Sequence, residues 1–153
     1  MNTMVSGMEL PKLSDFPSRD YDKLRYGDTD RQGHVNNAVF LTLLETGRVS
    51  LLGNAGAVEL RGLFSFVIAR LQIEYRAEIF WPGRVEIGTG VAAIGNTSIT
   101  MRQALFQDEK CVATAQSVLV QMHAPSKRTV PLGDELRQYL TGLLLPPAIN
   151  PMY

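Results

Sequence analysis

The stretch from Val35 to Leu52 sets the tightest limit on what this chain can become. Its apolar residues are Val35, Ala38, Val39, Phe40, Leu41, Leu43, Leu44, Val49, Leu51 and Leu52. On a 3.6-residue period they spread around most of the circumference, which is the pattern of a buried helix. Gly53, Asn54 and Gly56 follow, as residues that end helices commonly do. A helix apolar on most faces needs cover on most faces, so the remaining chain must wrap it.

The remaining chain has the period of strands. Ala69, Leu71, Ile73 and Tyr75 alternate with Arg70, Gln72, Glu74 and Arg76, the clearest half-buried strand. Trp81-Pro82-Gly83 marks a turn, and Val85, Ile87, Thr89 and Val91 begin a second long strand. Gly95-Asn96 is a hairpin signal, Ser98 to Phe106 reads as a third strand, and Gln107 to Lys110 is a polar turn. Lys110 to His123 is a fourth strand, with Val118, Val120 and Met122 alternating. A short first strand is expected over Arg19–Tyr26, a loop over Gly27–Gly33, and a short terminal helix over Pro131–Leu140. Asp134 and Glu135 lie near the positive end of that helix. The expected architecture is α+β: a long central helix wrapped by a curved antiparallel sheet of about five strands.

At 153 residues the chain fits one domain. Residues 1–18 read as a mobile leader, 19–140 as the single domain, and 141–153 as a Pro-rich irregular tail. Fifteen Lys+Arg balance fifteen Asp+Glu, which argues against a nucleic-acid partner. The charged fraction, 20% against a usual ~25%, points to surface covered by another subunit. Asn36, Asn37, Glu45 and Arg48 interrupt the most apolar stretch, so no membrane span is expected. The first residues carry no signal-peptide pattern, and the cytoplasm is the expected compartment.

The exclusions extend to chemistry. One Cys and two His, His34 and His123, give little with which to build a metal site, and none is expected. Cys111 opens a strand and reads as a small buried hydrophobe. Gly88-Thr89-Gly90 with Gly95 mimics a dinucleotide fingerprint, but it lies inside a strand and precedes another strand. No Gly-x-Ser-x-Gly elbow occurs.

What remains is the segment Tyr26-Gly-Asp28-Thr-Asp30-Arg-Gln32-Gly33-His34-Val35-Asn36-Asn37, followed by Glu45 and Arg48. It gathers polar groups where an apolar helix begins, beside the unpaired N–H groups of a first helical turn. A carboxylate there can act on a carbonyl or activate water, and a helix start can hold an oxyanion. The plainer readings stand beside this one. Asp28 or Asp30 can cap a turn, and Asn36 can cap the helix. Glu45 and Arg48, at i and i+3, can be a helix ion pair.

Asp28-Thr-Asp30-x-x-Gly33-His34-Val35-Asn36-Asn37, then Glu45-x-x-Arg48, strongly resembles the hotdog-fold acyl-CoA thioesterases of the 4-hydroxybenzoyl-CoA thioesterase type. The resemblance runs to about residue 140. It implies hydrolysis of an acyl-CoA thioester, with Asp30 as the catalytic carboxylate and the Asn37 backbone N–H as oxyanion donor. The segment is also similar to plant acyl-carrier-protein thioesterases, which carry Asp-x-Asn-x-His-Val-Asn-Asn. Gln32 departs from that pattern, whereas His34 matches it, which implies a positioning or acid–base role for His34. Some hotdog enzymes use a helix carboxylate, and Glu45 is that second candidate.

Substrate contacts are expected at Gly33, Val35, Asn36 and the Asn96-Thr97-Ser98 hairpin. Arg70, Arg102, Lys127 and Arg128 are cations available to coenzyme phosphates. No cofactor is implied beyond coenzyme A as part of the substrate. The resemblance implies sites formed between protomers, so a homodimer is the minimum and a homotetramer is open. An acyl-carrier-protein thioesterase, an enoyl-thioester hydratase or dehydratase, and a non-catalytic acyl-binding protein are the alternatives.

Overall fold

The computed structural model describes residues 9–54, 63–147 and 149. The expected ends of the leader (1–8) and of the tail (148, 150–153), and Gly56 of the helix stop, lie outside the described residues. In order, the chain forms β1 (Ser18–Lys23), α1 (Asn37–Gly53), β2 (Phe64–Tyr75), β3 (Arg84–Ile94), β4 (Ser98–Gln107), β5 (Lys110–His123), β6 (Arg128–Thr129) and α2 (Asp134–Thr141). One antiparallel sheet results, in the order β1-β3-β4-β5-β2, with β6 pairing β5. The wrapped-helix α+β architecture is the one the sequence predicts.

Boundaries moved for local reasons. The helix begins at Asn37, two residues later than expected, because Asn36 adopts extended backbone and its side chain caps Ala38 N–H. β2 begins at Phe64, before the alternating run, because a register shift between Ile68 and Arg70 breaks the period there. The turn into β5 places Asp108 and Glu109 at φ 49° and 66°, the left-handed geometry a tight hairpin requires.

Helix α1 buries Phe40, Leu43, Leu44, Gly47, Arg48, Leu51 and Leu52. These recur at the i, i+3, i+4, i+7 spacing of one face, lying over β1, β3 and β4. Its opposite face leaves Leu41 and Val49 exposed. The near-circular apolar distribution is therefore satisfied on one side only within a single chain. Gly47 marks the closest approach. A Cβ there would stand 2.6–2.7 Å from Ile87 Cγ2, Gln103 Nε2 and Thr89 Oγ1.

Beneath that point lies a buried polar network. Gln103 Nε2 donates to Leu44 O at 2.8 Å and Thr89 Oγ1 at 3.0 Å, and Arg48 Nη1 donates to Gln103 Oε1 at 3.3 Å. Arg48 thus turns inward, and the alternative reading of Glu45 and Arg48 as a helix ion pair is not realised as a contact. Burial pulls the Arg48 guanidinium below its usual range, with the Glu45 charge acting the other way.

The outer sheet face is closed over β3 and β4 by segments from both ends of the described chain. Phe16 lies on Gly88 and Leu145 on Gly90, so tightly that a Cβ on either glycine would meet them at 2.5 Å. Leu10, Leu13 and Ile149 pack against the same cluster of Phe16, Ala104, Phe106, Cys111 and Leu145. Phe16 and Leu145, with Leu10, Leu13 and Ile149 beside them, thus pack onto the sheet from the stretches read as leader and tail.

Candidate active site

The loop between β1 and α1 folds back on itself as a short antiparallel ladder. A turn over Tyr26–Asp28 comes first, held by Asp28. The buried Asp28 carboxylate accepts from Arg25 N at 2.8 Å and from Arg25 Nη2 at 3.1 Å. Its own carbonyl accepts Asn36 N–H at 2.8 Å. Thr29 bridges Val35, and Asp30 N donates to His34 O at 2.7 Å. The ladder turns at Gly33, whose φ of 83° is cheap only for glycine. This ladder sets Asp30 and His34 side by side and brings the loop to the start of α1.

The Asp30 carboxylate is exposed, and its Oδ1 accepts Gln32 N–H at 2.8 Å and His34 N–H at 3.2 Å. Among the described residues no hydrogen bond is made to Oδ2. A carboxylate with one oxygen fixed and one open is oriented and still able to take a proton or attack a carbon. The capping and chemical readings of Asp30 therefore coexist in one side chain.

The helix start is equally ordered. Val35 N donates to Ile79 O, Asn36 N to Asp28 O, Ala38 N to Asn36 Oδ1 and Val39 N to Asn36 O. Among the described residues the N–H of Asn37 has no hydrogen-bond partner, while its carbonyl accepts Tyr75 Oη–H at 3.3 Å. An unsatisfied N–H at a helix start is a donor aimed outward, with the helix dipole behind it.

His34 is half-buried. Its Nδ1 lies 3.2 Å from Glu78 Oε1, and its ring meets Phe80 edge-on at 5.3 Å. A backbone bridge between His34 and Phe80 fixes this arrangement. Glu78 was not singled out from sequence, because the segment joining β2 to β3 gives no local signal of facing the loop before α1.

The other expected site residues separate. Val35 is buried in the main core, where its side chain anchors the loop. The Asn36 side chain is committed to capping. Glu45 lies exposed on α1, two turns beyond Asn37. Arg70 is exposed on β2, donating to Gln72 Oε1 at 3.4 Å. Its neighbour Leu71 packs on the core, so by strand alternation Arg70 faces away from the helix. Asn96, Thr97 and Ser98 form the β3–β4 hairpin, next to the end of the sheet that meets the C-terminal half of α1. They sit roughly 20 Å along the strands from the helix start, at ~3.3 Å per residue, and within one chain do not join Asp30. No group of three or more His, Cys, Asp or Glu residues able to hold a metal ion occurs among the described residues. No helix there is long and apolar enough to cross a membrane.

Residues 24–140 match the thioesterase-like superfamily, and the chain belongs to that family. Its fold is the hotdog fold, and its class is that of the thioesterases. A 1,4-dihydroxy-2-naphthoyl-CoA hydrolase of Synechococcus elongatus is 27% identical over 123 residues, covering 76% of this chain and 90% of the relative. The PA5185 protein of Pseudomonas aeruginosa superposes with a TM-score of 0.81 at 28% identity, over 88% of this chain and 96% of that one. A Thermus thermophilus thioesterase, solved in complex with coenzyme A and zinc, has a TM-score of 0.75 at 29% identity, over 84% and 95%.

Proposed function

We propose that this protein hydrolyses an acyl-CoA thioester, with the carbonyl held at the start of α1 and Asp30 supplying the chemistry. The observation that carries this reading is an open carboxylate oxygen on the Asp30 ladder together with an unpartnered N–H at the helix start into which that ladder leads. Asn37 N–H would stabilise the oxyanion as the carbonyl carbon is attacked. As general base, Asp30 takes a proton from water, the water oxygen bonds to carbon, the C–S bond breaks, and the thiolate leaves to be protonated. As nucleophile, Asp30 itself bonds to carbon and expels the thiolate, and water then cleaves the mixed anhydride. One turnover in 18O-labelled water tests the second route: 18O in the Asp30 carboxylate arises only when water attacks the Asp30 carbonyl carbon of the mixed anhydride. His34 stands beside Asp30 to position substrate or move a proton.

The named substrate of the Synechococcus relative supports an aromatic acyl group as the preferred one. A thiol-release screen over aromatic, short-chain and long-chain acyl-CoAs tests this. Fastest release from an aromatic acyl-CoA is expected. Release from none of them would remove the hydrolase reading.

The active unit on this reading is a homodimer joined along β2. Among the described residues that strand is a sheet edge, and Val67, Ile68 and Tyr75 on it are exposed. The bare Leu41 and Val49 on α1 are further surface for a second copy to cover. An antiparallel twofold along β2 carries each protomer's Asn96–Ser98 end toward the other's helix start, where coenzyme contacts from the hairpin become possible. Sedimentation of an active enzyme as a stable monomer would refute this arrangement.

A further inference from the structure

We infer that Glu78 is a positioning residue that fixes the His34 ring as its Nδ1–H tautomer, leaving Nε2 as the hydrogen-bond acceptor for the attacking water. This rests on the hydrolase reading of the Asp30 site and goes beyond it by assigning a residue outside the loop.

The geometry starts from the rigidity of the Glu78 backbone. Ala77 N–H, the residue before it, donates to Val112 O at 3.1 Å. Ile79 O, the residue after it, accepts Val35 N–H at 2.9 Å, and Ile79 itself is fully buried. Phe80 is clamped at both backbone groups by one side chain, with Gln107 Oε1 accepting from Phe80 N at 3.0 Å and Gln107 Nε2 donating to Phe80 O at 2.7 Å. The backbone that presents Glu78 is therefore held on both sides, and its half-exposed carboxylate reaches His34 from that position.

His34 is constrained from its own side. Its N–H and C=O are both held by Asp30, and its ring rests edge-on against Phe80. The ring nitrogen facing Glu78 at 3.2 Å is Nδ1. A carboxylate only accepts, so the nitrogen facing it carries the hydrogen. In the neutral imidazole the other nitrogen must then be the acceptor. One close contact thus selects the acid–base character of the ring that shares the ladder with Asp30. Without it, the ring is free to choose its tautomer and to turn.

The experiment compares the unaltered protein with Glu78→Ala and Glu78→Gln. Long-range 15N–1H correlation spectra report the His34 tautomer directly. The chain has only two His, so an H34N variant assigns its signals apart from those of His123. The expected result is an Nδ1–H His34 in the unaltered protein, loss of that preference in Glu78→Ala, and retention in Glu78→Gln, whose carbonyl still accepts. Thiol release should follow the same order. In Glu78→Ala kcat should fall about tenfold at near-constant KM, a fraction of the usual acid–base contribution, and Glu78→Gln should restore most of it. An unchanged His34 tautomer in Glu78→Ala, or an unchanged kcat, would overturn the assignment. The spectra need no turnover, so their result is read separately from the hydrolase reading, which thiol release by the unaltered protein decides.

Discussion

Oδ1 of Asp30 accepts the backbone N–H of His34 at 3.2 Å, so the candidate catalytic carboxylate also closes the turn that presents it. This dual use separates two substitutions that look alike. Asp30→Asn keeps an oxygen for the Gln32 and His34 N–H groups and loses the carboxylate. It should unfold within about 2 °C of the unaltered protein, while thiol release falls at least about 100-fold, the scale of a lost acid–base group. Asp30→Ala should lose the activity and also about 1 kcal/mol of stability, as an absent turn cap does. Near-normal turnover by Asp30→Asn would remove Asp30 from the chemistry.

Gly47→Ala should be destabilising although alanine favours helix. The new methyl would meet Ile87, Thr89 and Gln103, all fully buried side chains beneath the helix. Overpacking of this kind costs about 1–3 kcal/mol, more than the ~1 kcal/mol gained in helix propensity. Urea denaturation should show a lower midpoint at unchanged slope. A rise in midpoint would mean that the helix lies less closely on the sheet.

Leu145→Ala should separate stability from catalysis. Leu145 is buried on Gly90, on the sheet face away from α1. Its truncation should cost about 2–4 kcal/mol, read by chemical denaturation. The kcat of the folded enzyme should stay within about twofold. A proportionate loss of kcat would show that the outer face communicates with the Asp30 loop.

Cys111 should make the protein alkali-sensitive in a measurable way. Burial pushes its thiol up to about 11, against the partial relief of the Arg76 charge and a backbone hydrogen bond with Ala113. The unfolded thiol ionises near 8.5. The folded state therefore holds the proton longer, and its stability advantage is full below about 8.5 and declines as pH rises towards about 11. Denaturation curves from pH 8 to 11 should show a steeper loss for the unaltered protein than for Cys111→Val. Equal slopes would indicate a thiol that ionises normally. At neutral pH the same burial should make native Cys111 slow to alkylate compared with the urea-unfolded chain.

The fold was legible wherever one period persisted long enough. The alternation of Leu71 and Ile73 with Gln72 and Glu74 places β2 because half-burial imposes period two, whereas along β5 the buried positions are Ser117, Leu119 and Gln121, and Val118, Val120 and Met122 fall on the less buried face. Asp30, His34 and Asn37 can be singled out as candidates from sequence because they lie close together on one loop and helix start. Glu78 cannot, since its approach to His34 depends on how the β2–β3 segment crosses to Val35. Phe16 and Leu145 cannot either. Their binding places are Gly88 and Gly90, and a glycine in a strand tells of close approach without naming what approaches. The helix circumference misled for a related reason. The apolar residues Leu41 and Val49 face outward, and a single chain gives no account of surface that a second copy would cover.

The two caps on β3 bear on the order in which the molecule can assemble. Phe16 and Leu145 come from opposite ends of the described chain and settle on glycines two positions apart in one interior strand. Neither has a place to settle until β3 and β4 are paired, and each then closes a long stretch of polypeptide at a late, entropically expensive step. The sheet can therefore nucleate through its hairpins before the caps arrive. The capping segments are expected to be the first to exchange their amide hydrogens and the last to gain protection on refolding, leaving the Asp30 ladder to mature on a sheet still open at its back.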